Sequence, residues 1–129
     1  MRLPGKEFLV ACLCAEWCDA CRSYRDGFLA LGEGFPEARF LWVDIEDEAD
    51  RVGDFEVENF PTLLIQRGNL VLFYGTVDPA LSHVRRLVEE FRTQSLERSI
   101  AYASGTEDRR KWQTSCNLRT ALGLDSQPD

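Results

Sequence analysis

The sequence has little histidine, little positive charge and no long apolar run. One histidine, His83, occurs in 129 residues. It falls off the apolar stripe of its expected helix and reads as a solvated residue with no catalytic role. The longest apolar run, Phe8 to Ala15, is far below the ~20 residues of a membrane helix, so no membrane span is expected. Fifteen basic residues stand against 22 acidic ones, a net charge of −7. Nucleic acid and anionic membrane surfaces both call for clustered Lys and Arg, so neither is an expected partner. No internal repeat is present. The acidic stretch Asp44, Glu46, Asp47, Glu48, Asp50 fails the calcium-loop spacing and suits the start of a short helix, with Asp47 as its cap. The length fits one domain, and 44% hydrophobic residues provide a packed core and exclude general disorder.

Cysteine is what the chain does have. Cys12, Cys14, Cys18 and Cys21 fall within ten residues, and Cys116 lies far away. Five is odd, so at least one thiol has no intrachain disulfide partner. A secreted disulfide scaffold would be shorter and would spread its cysteines more evenly. Leu9-Val10-Ala11-Cys12 has the look of a lipoprotein cleavage site, but its apolar core is short for a signal segment, and Pro4 and Glu7 fit it poorly. A buried strand is the adopted reading, and the cytoplasm, where thiols are kept reduced, is the expected location.

Along the chain, strands and helices alternate. Phe8 to Cys14 is continuous and apolar, as in a central strand buried on both faces. Tyr24, Phe28 and Leu31 give a helix from about 18 to 33 one apolar face, closed by Gly32, Gly34 and Pro36. Residues 39–45 read as a second strand. Residues 61–66 and 70–75 read as a hairpin turning at Arg67-Gly68-Asn69. Asp78-Pro79 opens a helix carrying Leu81, Val84, Leu87, Val88 and Phe91 on one stripe. From Thr93 the composition turns polar. A further helix around 107–122 is expected, then a frayed end at 126–129. Two parts result: residues 1–93 as the core domain and 94–129 as a mostly helical extension.

The chemistry concentrates at Trp17-Cys18-Asp19-Ala20-Cys21. Two residues between the thiols put both on the first turn of a helix, close enough to bond. Unpaired N–H groups and the helix dipole stabilise a thiolate on the first cysteine. The second, one turn inward, attacks the resulting mixed disulfide. Cys18 is therefore the candidate nucleophile and Cys21 the candidate resolving thiol. A zinc or iron–sulfur site using Cys12, Cys14, Cys18 and Cys21 is a further reading. The tight apolar strand around the first pair speaks against it.

Ala15-Glu16-Trp17-Cys18-x-x-Cys21, then Val43-Asp44-Ile45, then Asn59-Phe60-Pro61-Thr62-Leu63, then Gly75 resembles the thioredoxin family, over about residues 7 to 92. The resemblance implies an α/β, thioredoxin-like fold. It also implies a redox-active Cys18–Cys21 disulfide in place of any bound cofactor, and a cis peptide bond at Pro61 facing it. A substrate groove lined by Trp17, Asp19, Ala20, Phe60, Pro61 and Gly75 is implied too, with backbone pairing at Phe60. The implied activity is exchange with protein disulfides, with a reductase or small thiol as electron donor, in cell redox homeostasis.

Departures from the family accompany the matches. Asp19-Ala20 stands where the family carries Gly-Pro. A carboxylate beside Cys18 disfavours its thiolate and Arg22 favours it. Cys12 and Trp42 occupy the positions of the family's buried Asp and its partner Lys, so the proton acceptor for Cys21 is missing, with water or Glu16 as the substitute. Cys12 and Cys14 share one face of their strand, which the resemblance implies is the face toward Cys21. They are expected to be two small buried hydrophobes, the alternative being auxiliary thiols that exchange with Cys21. Cys116 is expected to be a free thiol in the tail.

The first strand and helix usual in the family are absent, which predicts a four-stranded mixed sheet flanked by helices. Its order is 39–45, 7–14, 61–66, 70–75, with the first two strands parallel. Strand 39–45 is then an exposed edge, to be covered by the 94–129 extension or used, with the extension, for homodimerisation. A second functional reading is a redox-weak, thioredoxin-fold protein-binding module.

Overall fold

The computed structural model describes residues 7–53, 55, 57, 59–76 and 80–123. The readings of residues 1–6, of Asp78 and Pro79 and of the 126–129 end lie outside the described residues. Four strands form one sheet: β1 (Phe8–Cys14), β2 (Ala38–Asp44), β3 (Thr62–Arg67) and β4 (Leu70–Thr76). Their order is β2-β1-β3-β4. β1 runs parallel to β2 and antiparallel to β3, and β3 pairs antiparallel with β4. The fold is thioredoxin-like, with the strand order the sequence implies.

Every residue of β1 is buried, because the strand is covered on both faces. Phe8, Val10, Cys12 and Cys14 point into one core, while Leu9, Ala11 and Leu13 point into another. Period-2 alternation thus splits one continuous apolar run between two layers.

The first layer is made by α1 (Asp19–Leu31) and α3 (Leu81–Arg92). Cys21, Tyr24 and Phe28 are the buried side chains of α1, and Val84, Val88 and Phe91 those of α3. Phe28 lies at the centre of this layer, with its ring 5.1 Å from Phe40, 6.0 Å from Tyr24 and 6.2 Å from Trp42. Gly32, just past α1, lets the chain close against Phe40: a Cβ there would come within 2.8 Å of Phe40 Cγ. Gly68 turns β3 into β4 at φ +56, a left-handed geometry that glycine adopts at little cost.

The second layer comes from α2 (Ala49–Val52) and the C-terminal helices α5 (Glu107–Ser115) and α6 (Leu118–Ala121), with α4 (Leu96–Ala103) leading into them. The expected helix at 107–122 is two helices. The chain breaks at Cys116 and Asn117, and Asn117 caps α6 by accepting the Thr120 N–H at 3.1 Å. The expected cap Asp47 is not the cap of α2, which begins after Glu48; α3 begins after Ala80. Cys116 is buried in the second core beside Trp112 and Leu118.

The extension covers the edge opposite to the one expected. Helices α4 and α5 pack on β4 rather than β2. Gln113 of α5 accepts the Val71 N–H and donates to the Val71 carbonyl, both at 2.8 Å. One side-chain amide thereby occupies β4's edge as a neighbouring strand would. Gln66 and Arg67, at the end of β3, hold the rest of the extension. Buried Gln66 accepts N–H bonds from Leu118 (2.7 Å) and Arg119 (3.2 Å) and donates to Asn117 Oδ1 (2.9 Å). Arg67 donates to the Gln94 carbonyl and to Ser99 Oγ, pairs with Glu7 and covers the Phe8 ring. The extension docks there because the Gln66 amide and the Arg67 guanidinium find partners at these positions.

Candidate functional site

β1 ends at Cys14, residues 15–17 turn, and Cys18 caps α1. The Cys18 N–H donates to the Ala15 carbonyl and the Cys18 carbonyl accepts the Arg22 N–H, both at 3.1 Å. Asp44, at the end of β2, anchors this turn. Its Oδ2 accepts the Glu16 N–H at 3.2 Å, and its Oδ1 accepts those of Glu46 and Asp47 at 2.8 and 3.1 Å. The Ile45 N–H donates to the Cys14 carbonyl at 2.9 Å. Asp44 therefore works as a local staple for the turns after β1 and β2, not as part of a helix cap.

Cys18 is partly exposed and carries a free thiol. Trp17 beside it is 62% exposed, with its ring 5.7 Å from Phe60 in an edge-on contact. Thr62 Oγ1 donates to the Asn59 carbonyl at 2.6 Å and secures the loop before β3. The Phe60–Pro61 peptide bond is cis. Leu13 stands opposite Thr62, so the same antiparallel register brings Pro61 alongside Cys14. Gly75 stands opposite Leu63 on β4. Asp19 and Ala20 are exposed on the first turn of α1. Arg22 pairs with Asp19 and also donates to the Glu16 carbonyl at 2.8 Å. The two charges of opposite sign next to Cys18 thus meet each other.

The cysteine pairing differs from the expected one. Cys21 is bonded to Cys14, not to Cys18, across a Cα–Cα distance of 5.7 Å. The cause is position. Cys14 is the last residue of β1 and points into the first core, and Cys21 is the buried residue of the first turn of α1 facing it. The buried-hydrophobe reading therefore fails for Cys14. It fits Cys12, whose Sγ lies 3.9 Å from Cys14 Sγ and whose thiol burial pushes up from an ordinary 9.0 to about 12. Cys12 stands directly across from Trp42, so the two departures from the family's buried pair are neighbours. Among the described residues, no group of three His, Cys, Asp or Glu is placed to hold a metal ion.

A Trp-Cys-x-x-Cys turn capping a helix, with a cis-proline loop beside it on a β2-β1-β3-β4 sheet, is the setting for comparison with known proteins. The thioredoxin family model matches residues 3–82. The chain belongs to the thioredoxin family. An H-type thioredoxin of Picea mariana is 34% identical over 62 residues, which are 48% of this chain and 50% of that one. The chain spans about half the length of such curated relatives. The crystal structure of thioredoxin from Trypanosoma brucei brucei superimposes with a TM-score of 0.61 at 21% identity, covering 69% of this chain and 78% of that one. A complex of ferredoxin:thioredoxin reductase with thioredoxin f2 gives 0.61 at 20% identity, covering 69% and 81%. These structural likenesses support the thioredoxin fold.

Sequence reasoning missed two anchoring residues. Asp44 and Thr62 were visible only as parts of longer matches, and their work is done through backbone groups. For Cys14 the sequence offered exchange with Cys21 only as an alternative, and the Cα–Cα distance of 5.7 Å is what the structure adds.

Proposed function

We propose that the chain is a thiol–disulfide oxidoreductase that exchanges protein disulfides through Cys18 and Cys21. The observation that carries this reading is Cys18 itself: a free, partly exposed thiol at the start of α1, next in sequence to the exposed Trp17, whose ring meets Phe60 of the cis-proline loop. Cys18 attacks a disulfide of a protein substrate docked along Trp17, Asp19, Ala20, Phe60, Pro61 and Gly75. Cys21 then attacks Cys18 and releases the reduced product. The cycle uses no bound cofactor. A reductase or a small thiol returns the electrons; the reductase complex of thioredoxin f2 supports the first choice. The cytoplasm is the proposed setting, because repeated turnover needs a reducing pool. Helices α4 to α6 are engaged on β4 and the second face, so any homodimer is proposed to form through the edge of β2.

One observation favours the second reading, a redox-weak binding module. Cys21 is engaged with Cys14, which removes the resolving thiol from Cys18 in this state. Insulin reduction with dithiothreitol as donor separates the two. Oxidoreductase activity predicts precipitation of insulin well ahead of the Cys18→Ser control. Equal rates for the two proteins overturn it in favour of the binding module.

A further inference from the structure

We propose that Cys14 is a third catalytic thiol, which takes over the disulfide from Cys18 and stores it in the interior as Cys14–Cys21. This rests on the oxidoreductase reading and extends it by one step. The four clustered thiols differ in access. Cys12, Cys14 and Cys21 are buried, and Cys18 alone is partly exposed. Cys21 sits between its two possible partners, Cys18 one helical turn back and Cys14 across the layer at a Cα–Cα distance of 5.7 Å. A disulfide with both sulfurs buried does not meet an outside protein directly. Its route to the surface is through Cys18.

The steps balance. Cys18 thiolate attacks the substrate disulfide; the Cys18–substrate bond forms, the substrate's S–S bond breaks, and one substrate thiolate leaves. Cys21 gives up its proton and attacks Cys18 Sγ. The Cys18–Cys21 bond forms and the second substrate sulfur leaves, so the substrate gains two electrons and the protein loses two. Cys14 then gives up its proton and attacks Cys21 Sγ. The Cys14–Cys21 bond forms, the Cys18–Cys21 bond breaks, and Cys18 departs as a thiolate able to take up that proton. This last step transfers no net electrons. The oxidised protein therefore presents a thiol at its surface instead of a disulfide. Reduction runs the same path backwards: Cys18 attacks Cys21, and the reductase or small thiol meets the re-formed Cys18–Cys21 bond. Cys12 stays a free thiol beside the Cys14–Cys21 bond and takes no part.

The test maps the disulfide in the full chain. Reduced protein is oxidised in one arm with insulin and in a second with oxidised glutathione. It is then labelled under native conditions with N-ethylmaleimide and digested without reduction. Cleavage after Glu16 and before Asp19 puts Cys14, Cys18 and Cys21 on separate fragments. The proposal expects Cys14 linked to Cys21 and label on Cys18 in both arms. A Cys18–Cys21 link with Cys18 unlabelled overturns it, and leaves the oxidoreductase reading standing if insulin has been reduced. Failure of insulin to oxidise the protein, with Cys14–Cys21 forming from glutathione, overturns the protein-disulfide reading and keeps the relay. Two variants add independent checks. Cys14→Ala should shift the link to Cys18–Cys21 and remove the native label. Cys18→Ser should slow reduction of Cys14–Cys21 by dithiothreitol at least tenfold, and an unchanged rate overturns the relay.

Discussion

The two faces of the sheet are built differently and hold together differently. The face toward α1 and α3 is apolar, aromatic and rich in sulfur, with Phe28 among Tyr24, Phe40 and Trp42 and with Cys12, Cys14 and Cys21 at one end. The face toward α2, α5 and α6 is apolar at its centre and pinned at its rim by Gln66 of the sheet and by Gln113 and Asn117 of the extension. Around the candidate site the first face joins the end of β1 to the start of α1, with Phe60 of the distant cis-proline loop against Trp17. The second joins residues about fifty positions apart. The proposed chemistry lies on the first face, and the second carries stability that the proposed thiol exchange does not draw on.

This contrast can be broken in several places. Cys18→Ser should bring insulin reduction down to the no-protein background while leaving the melting temperature near that of wild type; retained activity would remove Cys18 from the reaction. Phe28→Ala should cost about 3–5 kcal/mol of stability in urea unfolding and also slow exchange, since α1 carries Cys18 and Cys21. Leu118→Ala should cost about 2–5 kcal/mol yet leave exchange within a few-fold of wild type well below its melting temperature. If Leu118→Ala slows exchange as much as Phe28→Ala does, the faces are not separable. Gln66→Ala leaves the Leu118 and Arg119 N–H groups without their acceptor and should cost about 1–3 kcal/mol, with circular dichroism reporting the loss. The smallest effect concerns pH. Burial holds the Cys12 thiol protonated up to about 12 instead of 9.0. With Cys14 and Cys21 bonded, its contribution to stability is therefore fully present below pH 9 and is lost as pH rises from 9 towards 12. Cys12→Val should flatten that part of the stability curve, and an unchanged slope would assign the loss to other groups.

Much of the first face was legible in the sequence, because its signals are local. The unbroken Phe8–Cys14 run, the Tyr24 and Phe28 spacing and the Cys-x-x-Cys turn each specify their own geometry, and the paired motifs fixed the strand order. The second face was not legible. Gln113 and Asn117 lie in polar stretches with no periodic pattern, Gln66 closes an apolar strand, and the meaning of all three arises only when tertiary contacts bring a buried amide to a helix end or a strand edge. The extension was expected on β2 because strand 39–45 reads as an exposed edge. Cys14 falls between the two cases. Its position was clear, but whether a strand thiol packs or bonds is decided by the distance to Cys21, which no spacing rule supplies.

Gln113 also limits how this protein can assemble. A strand arriving at β4 would have to evict an amide tethered in place at Val71, whose local concentration exceeds that of any diffusing competitor. Growth of the sheet into a larger array is thereby discouraged on that side. Addition of foreign strands, and the earliest steps of any fibre, are directed to β2.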